Sequence, residues 1–171
     1  MRKFILLALP LLATACVTAD PKGGAPMPLI NATGQSIGTV VAWQTAGGVT
    51  FRITGAGLPH GVHGLHVHAV GRCDPPDFTS AGPHWNPTAR KHGANNPAGP
   101  HAGDLGNVTV AANGALGETV TLTGASMATL MDADGAALVL HAAADDQVTD
   151  PSGNSGARIA CAIVQGQAEI R

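Results

Sequence analysis

Short runs that are apolar at every second position recur along this chain. They cover residues 37–43, 49–53, 65–69, 108–112, 119–122, 138–140 and 159–164. A period of two places alternate side chains on opposite faces of a β-strand, so each run is predicted to be a strand. Turn signals such as Asn113-Gly114 and Asp134-Gly135 separate the runs, as is typical of an antiparallel sandwich or barrel. No stretch predicts a long helix, and the domain is therefore expected to be all-β.

Two longer segments, residues 71–104 and 142–157, interrupt this rhythm and are dense in Gly, Pro, Asn, Asp and His. Loops of this length are usually either functional or disordered. The first contains three histidines that could bind a metal, and the second begins directly after another, His141. Both segments are therefore interpreted as functional loops.

Length and charge narrow the class of protein further. A chain of 171 residues has the size of one globular domain. Its net charge is −2, and its nine Lys and Arg residues are scattered. Because no basic block is available to neutralise phosphates, no nucleic-acid partner is predicted.

The N-terminus has the pattern of an export signal. Arg2 and Lys3 precede an apolar run at 4–12 and the small residues 13–15, so residues 1–15 are predicted to be a signal peptide that is removed. The apolar run is too short to cross a hydrocarbon core of about 30 Å as a helix of the mature protein. Residues 16–28 are rich in Pro, Gly and Ala and predict a flexible tether, with the folded domain at 29–171.

Cys16 follows the signal directly, and residues 12–16 resemble a bacterial lipobox. This predicts that Cys16 becomes a lipidated N-terminus that anchors the protein to a membrane. The alternative is plain secretion after the A-x-A site, with Cys16 left as a free thiol or removed. In either case export places Cys73 and Cys161 in an oxidising compartment, where they can form a disulfide.

Seven candidate metal donors divide into two overlapping sets. His66 and His68 lie two residues apart in a predicted strand, so both rings project from one face. This H-x-H pattern alone fits two exposed histidines equally well. Three imidazoles and a carboxylate then follow within one loop and match the donors of a closed zinc site. They are His84, His92, His101 and Asp104. His141, at the end of a strand, could complete a nitrogen set with the first pair and His84.

The segments that hold these donors carry longer motifs. They are GLHVHAVG at 64–71, SAGPHWNP at 80–87, KHG at 91–93, HAGDLGN at 101–107, LVLHAAADD at 138–146 and GNSGARIACAIV at 153–164. Together they resemble the copper, zinc superoxide dismutases of the bacterial exported kind, in the order of that family and over essentially the whole domain. The resemblance implies a flattened eight-stranded Greek-key β-barrel or sandwich with two long functional loops.

The resemblance also implies the chemistry: superoxide is converted to dioxygen and hydrogen peroxide by alternate reduction and reoxidation of copper, with one copper and one zinc per subunit. Carried over residue by residue, the copper ligands are His66, His68, His84 and His141. The zinc ligands are His84, His92, His101 and Asp104, so that zinc holds the shared His84.

Four further residues receive roles from the same resemblance. Asp145, rather than its neighbour Asp146, is expected to hydrogen-bond His66 and His92. Arg158 is expected to attract superoxide and to act with His84 in catalysis. Cys73 and Cys161 are expected to form the intrachain disulfide. Cys73 follows the His66–His68 pair more closely than in animal enzymes, so its loop must run differently.

The remaining histidines fit neither set: His63 is predicted to form a structural hydrogen bond and His60 to be exposed. The resemblance predicts a periplasmic protein, anchored as a lipoprotein or else soluble or secreted, and either a monomer or a homodimer. An alternative function is an exported copper- and zinc-binding protein, a metal buffer or chaperone, without turnover. Non-enzymatic relatives typically lack a copper histidine or the arginine, and this sequence lacks neither.

Overall fold

Eight antiparallel strands form one sheet in the computed structural model, which describes residues 24–165. The strands are β1 Met27–Asn31, β2 Ser36–Thr45, β3 Gly48–Gly55, β4 Gly61–His68, β5 Asp104–Val110, β6 Leu116–Thr123, β7 Ala136–His141 and β8 Arg158–Val164. A 3-10 turn at Thr79–Ala81 and a one-turn helix, α1, at Met127–Leu130 lie between them. Within residues 24–165 no helix has the length and apolar character needed to span a membrane. Every run predicted from apolar alternation overlaps one of β2 to β8.

The strand order is β5-β4-β7-β8-β1-β2-β3-β6. Strands β3 and β4 follow each other in the chain but are not neighbours in the sheet, and the same holds for β6 and β7. Such crossing connections between antiparallel strands define a Greek key. The two edge strands, β5 and β6, lie against each other, so that the sheet curls into a nearly closed barrel. The predicted fold class is confirmed.

Strand β1 is the strand that apolar alternation did not predict. Met27 and Leu29 are each only 2% exposed, and Pro28 between them pairs with Thr39 of β2. Proline is tolerated because β1 pairs with β8 only through its last two residues, so Pro28 is not required as a donor on that side. The predicted domain start at residue 29 therefore falls inside a strand. The signal peptide, Cys16 and the tether up to residue 23 lie outside the described residues.

Strand β7, which lies between β4 and β8 in the barrel wall, is buried on both faces. Inside, Leu65, Leu138 and Leu140 pack in the main core. Outside, Val139 belongs to a second apolar cluster with Cys161 of β8 and with Cys73 and Phe78, which the loop at 71–104 supplies. All six residues of β7 are consequently buried. The long loops thus cover the outer face of the wall, and side chains pointing outward from β4 are enclosed beneath them.

A disulfide fastens the first of these loops to the barrel. Cys73 is bonded to Cys161 of β8; their Cα atoms are 5.7 Å apart, and their sequence separation is 88. Closing so long a loop removes much of the conformational freedom of the unfolded chain. The disulfide that the sequence suggested is therefore present, and it anchors the loop to β8 at the residue that pairs with Val139 of β7.

We expect the double variant Cys73→Ala/Cys161→Ala to lose about 4–5 kcal/mol of unfolding free energy by the loop-closure relation. Urea unfolding of the metal-free protein would measure this loss. Wild-type protein treated with a reductant is the matched control and should unfold at the same urea concentration as the double variant. Equal stability of the oxidised and reduced wild type would show that the disulfide does not stabilise the fold.

Candidate metal centre

Strand β4 presents two histidines on the outer face of the barrel wall. His66 and His68 alternate with Leu65 and Val67, which pack in the barrel interior. Across the sheet His66 pairs with Val139 of β7. Both imidazoles are completely buried because the loops close over them. The alternation of β4 thus places two metal-binding side chains in a dry pocket outside the core.

The segment around His84 runs beside the end of β4. The N–H of Trp85 donates to the carbonyl of Val67 at 2.8 Å, and His84 forms an isolated bridge with His68. His141, the last residue of β7, reaches the same place from the neighbouring strand. The donor atoms of these residues lie within 4.8 Å of one another, and we call them the first cluster: His66, His68, His84 and His141.

Hydrogen bonds hold two rings of the first cluster in one orientation. His68 Nδ1 donates to the carbonyl of Gly82 at 2.8 Å, and His141 Nδ1 donates to that of Gly156 at 3.2 Å. The Nε2 atoms of His68 and His141 are then only 3.4 Å apart. A donor bond at one ring nitrogen leaves the lone pair on the other. The Nε2 atoms are therefore the nitrogens of these two rings that could bind a metal.

The second cluster forms on the other side of His84. His84 Nδ1 lies 2.8 Å from Asp104 Oδ1, and His92 Nδ1 lies 3.1 Å from Asp104 Oδ2. The set whose donor atoms lie within 4.8 Å of one another consists of His66, His84, His92 and Asp104. His101, the histidine expected from the sequence, is not in that set. Its Nδ1 nevertheless lies 3.3 Å from Asp104 Oδ1 and 3.4 Å from His84 Nδ1.

Three buried ring nitrogens have no hydrogen-bond partner within residues 24–165: His66 Nδ1, His84 Nε2 and His92 Nδ1. Buried polar atoms in proteins are nearly always paired, because an unpaired one loses its contacts with water without replacement. A lone pair on each nitrogen, directed at the clusters, is satisfied by a cation. Imidazole nitrogens with one carboxylate are donors that copper and zinc accept. The residues therefore fit a pair of such ions.

Burial favours the neutral form of three histidines of the first cluster, His66, His68 and His141, by lowering their pKa values. It lowers the pKa of His68 to about 2 and that of His141 to about 3, and repulsion by neighbouring rings and Arg158 adds to this effect. The pKa values of His66 and His101 are also lowered, mainly by burial. Neutral imidazoles are the form that binds metals. The pocket therefore presents its nitrogens ready for coordination at neutral pH.

The pKa values of the two carboxylates, Asp104 and Asp145, are also lowered, which in their case favours the charged form. Burial alone would raise the pKa of Asp104, but hydrogen bonds from His84 and from the backbone N–H of Gly93 lower it well below its usual value. Asp145 behaves likewise: burial opposes ionisation, and the hydrogen bonds from His66 and His92 outweigh it. Both groups are therefore negatively charged at neutral pH. They balance the positive charge that metal ions bring into the pocket.

Asp145 links the two clusters. Its Oδ2 lies 2.9 Å from His66 Nε2 and its Oδ1 lies 3.0 Å from His92 Nε2. Each bond fixes one ring so that the opposite nitrogen faces the metal position. Asp146 instead accepts hydrogen bonds from residues of its own loop, such as Thr149. The structure thus gives Asp145, not Asp146, the contacts expected from the sequence.

Sequence reasoning missed the residues that hold Asp145 in place. The side-chain amide of Asn107 pairs with the Asp145 backbone in both directions, at 2.9 and 2.8 Å. A Cβ on Gly153 would lie 1.8 Å from Asp145 Oδ1, so only glycine fits there. Both lie within the family motifs quoted above, but their contacts depend on how the loops fold. Spacing alone does not reveal them.

The two remaining histidines behave as predicted. His63 is buried, and its two ring nitrogens lie 2.8 Å from the carbonyl of His141 and 2.9 Å from that of Pro59. It therefore ties the base of β4 to the end of β7. His60 is exposed to solvent. Neither residue belongs to a metal cluster.

Arg158 lies beside the first cluster, paired with His141 across β7 and β8. Its Nη1 donates to the carbonyl of Phe78 at 2.6 Å and its Nη2 to that of Gly82 at 2.7 Å. Burial lowers the pKa of Arg158, but a guanidinium stays charged at neutral pH. Arg158 and three rings of the first cluster line one open cleft. A small anion in this cleft would meet a fixed positive charge next to the histidines.

Comparison with known proteins agrees with this geometry. The sequence model of the family described as copper/zinc superoxide dismutase matches residues 36–164. The chain belongs to this family. Membership confirms the predicted enzyme class, an oxidoreductase of the superoxide dismutase type, and the predicted cofactors, copper and zinc.

Individual relatives support the same conclusion. The chain is 41% identical to copper-zinc superoxide dismutase 1 of Aquifex aeolicus over 143 residues, which cover 80% of this chain and 85% of the relative. It is 40% identical to the copper-zinc superoxide dismutase of Caulobacter vibrioides over 139 residues, 77% of this chain and 80% of the relative. Among solved structures, a superoxide dismutase-like protein of Bacillus subtilis matches with a TM-score of 0.79 and 38% identity, covering 83% of this chain and 99% of that one.

We expect Asp145→Asn to lower the zinc affinity of the protein by about 10–100-fold, the usual effect of losing a partner behind a metal ligand. An amide has a single acceptor oxygen, whereas Asp145 receives two ring N–H groups. Competition with a chelator of known affinity measures the change. Asp146→Asn, the same substitution one residue away, is the control and should bind zinc as the wild type does. Equal affinities of the two variants would contradict this role of Asp145.

Proposed function

We propose that this protein converts superoxide to dioxygen and hydrogen peroxide. The observation that carries the proposal is the open cleft in which Arg158 lies next to the first cluster. A buffer or chaperone needs metal ligands but has no use for a fixed cation aimed at an anion beside them. Family membership supports the same activity.

We assign copper to the first cluster and zinc to the second. The first cluster supplies four ring nitrogens and borders the cleft, as a redox metal that meets substrate requires. The second cluster contains the carboxylate of Asp104 beside ring nitrogens of histidine, a donor set suited to structural zinc. His66 cannot serve both ions, because Asp145 occupies its Nε2 and only Nδ1 remains. We therefore assign His101 as the fourth ligand of the second cluster.

When bound, copper supplies one-electron redox chemistry, and zinc supplies a fixed positive charge with no redox step. Arg158 raises the local concentration of superoxide by electrostatic attraction, an effect for which superoxide dismutases are a known general example. Its two bonds to backbone carbonyls hold the guanidinium still. The substrate therefore meets an oriented charge rather than a flexible one.

His84 has a different nitrogen directed at each cluster. Its Nδ1 lies 2.8 Å from Asp104, and its Nε2 is one of the three buried ring nitrogens that have no hydrogen-bond partner among residues 24–165. We infer that Nε2 holds a proton between the two half-reactions and delivers it to the reduced oxygen. A second proton comes from water. Two superoxide ions and two protons then give one dioxygen and one hydrogen peroxide.

The disulfide indicates a protein that works outside the cytoplasm, because such bonds persist in oxidising compartments. We further propose that residues 1–15 are removed as a signal peptide and that Cys16 carries a lipid anchor at the periplasmic side of a bacterial membrane. The lipobox-like residues 12–16 support this proposal. Residues 16–23 and the first residues of the described structure would then connect the anchor to β1.

A superoxide decay assay paired with metal analysis tests the activity. Protein loaded with copper and zinc should accelerate decay, and His141→Ala should abolish that acceleration while zinc stays bound. Asp104→Ala is the matched variant of the other cluster and should lose zinc before it loses copper. If the fully loaded wild type decays superoxide no faster than buffer, the protein is a metal-binding protein without turnover.

Arg158→Glu should slow the reaction and weaken or invert its dependence on ionic strength. In the wild type, salt screens an attraction and lowers the rate, whereas in the variant it screens a repulsion. Arg52→Glu is the control, because it makes the same charge change on β3, outside the residues that line the cleft. Decay rates over a salt series measure the effect. If both variants behave alike, net charge rather than the position of Arg158 governs the rate.

The mass of the intact mature protein tests the proposed anchor. Lipidation predicts a chain that starts at Cys16 and is heavier than its sequence by the mass of the attached acyl groups. Cys16→Ser should remain unlipidated and leave the membrane fraction. A mature wild-type chain with an unmodified mass would show that the protein is secreted without an anchor.

A further inference from the structure

The two functional loops are joined along one short line of contacts. The backbone carbonyl of Gln147 accepts the N–H of Asn95 at 3.0 Å, and that of Val148 accepts the side-chain amide of Asn96 at 3.2 Å. A Cβ on Gly93 would lie 2.1 Å from the Gln147 carbonyl oxygen, which shows how closely the two backbones approach. The segment that contains His92 is therefore packed against the segment that follows Asp145.

Asp150 lies at the end of this line and contacts the second cluster from outside. Its Oδ1 accepts a hydrogen bond from the backbone N–H of His92 at 2.8 Å, and its Oδ2 accepts one from the ammonium group of Lys91 at 3.0 Å. The same Oδ1 lies 3.8 Å from Nε2 of His101. One carboxylate thus touches the main chain of one histidine of the second metal site and faces the ring of another.

The contact with His101 involves the ring nitrogen that faces away from the second cluster, Nε2. The Nδ1 of this ring faces Asp104 and His84, so the ring has its Nε2 on the side of Asp150. An imidazole that binds a metal through Nδ1 carries its proton on Nε2, and that N–H attracts a carboxylate. A separation of 3.8 Å is too long for a hydrogen bond, so the Asp150 carboxylate acts on this N–H through the attraction of its charge for the N–H dipole.

We propose that Asp150 is a positioning residue for the second metal site and slows release of zinc from it. The inference rests on the assignment of zinc to the second cluster. Asp150 stands behind His92 and His101 as Asp145 stands behind His66 and His92. His92 is therefore held by two carboxylates: Asp145 contacts its ring at Nε2, and Asp150, which lines the cleft, accepts its backbone N–H.

The contact with Lys91 offers a simpler explanation, an ordinary ion pair that ties two loops together. Both of its side chains are partly exposed, Lys91 at 61% and Asp150 at 37%. Exposed ion pairs of this kind contribute little, because water screens them and the long lysine side chain must be ordered. Removing the ammonium group should therefore leave zinc release nearly unchanged, whereas removing the carboxylate should not.

The experiment measures zinc release from the fully loaded protein into an excess of chelator, followed with a zinc indicator. We expect Asp150→Ala to release zinc about 10-fold faster, at the lower end of the effect of residues behind metal ligands. Asp150→Asn should fall between Asp150→Ala and the wild type, since its amide oxygen can still accept the His92 N–H but carries no charge. Lys91→Gln is the control and should stay within about twofold of the wild type.

A second readout separates positioning of the ligands from general loosening of the loop. Cobalt(II) bound in place of zinc has visible absorption bands that depend on the geometry of its ligands. These bands should shift in Asp150→Ala and remain unchanged in Lys91→Gln. Equal melting temperatures of the metal-free proteins would show that neither variant is misfolded.

The outcomes distinguish this inference from the assignment on which it rests. If the wild type and Asp104→Ala bind the same amount of zinc, the assignment of zinc to the second cluster is wrong. If the second cluster binds zinc but both Asp150 variants release it at the wild-type rate, the role of Asp150 alone is refuted. Release from Lys91→Gln as fast as from Asp150→Ala would refute it as well, since the ion pair would then account for the effect.

Discussion

The carboxylate of Asp145 is the contact on which the metal centre depends. It bonds a ring from β4, 79 residues earlier, and a ring from the first loop, 53 residues earlier. Without these bonds, the two imidazole rings could rotate, and either ring nitrogen could carry the proton. Because each Nε2 is bound to a negative charge, each Nδ1 is left to face a metal position. The loop at 142–157 thus orients ligands that it does not itself contain.

The enclosure of this centre follows from the barrel wall. Strand β7 is apolar on both faces, so the loop at 71–104 can pack against its outer side and bury Val139 together with Phe78. The disulfide fixes that loop at one end. Packing outside the barrel therefore creates the buried environment that lowers the pKa values of His66, His68 and His141, while the interior core supplies the rigid wall.

Much of the architecture was predictable because it depends on local pattern. Apolar alternation located β2 to β8, and spacing in β4 placed His66 and His68 on one face. Strand β1 was not predicted, because Pro28 resembles a linker residue unless its neighbours in space are known. Asn107 and Gly153 escaped for a related reason: both act on Asp145 through contacts between loops. The closeness of His66 to the second donor set is likewise a property of packing, not of spacing.

The carbonyl oxygen of Gly82 receives two donors, Nδ1 of His68 and Nη2 of Arg158. One backbone atom therefore sets both the orientation of the His68 ring and the position of the Arg158 guanidinium. Any movement of this part of the loop changes the two together. A change in the position of the Gly82 carbonyl would therefore alter the orientation of His68 and the placement of the Arg158 charge at the same time.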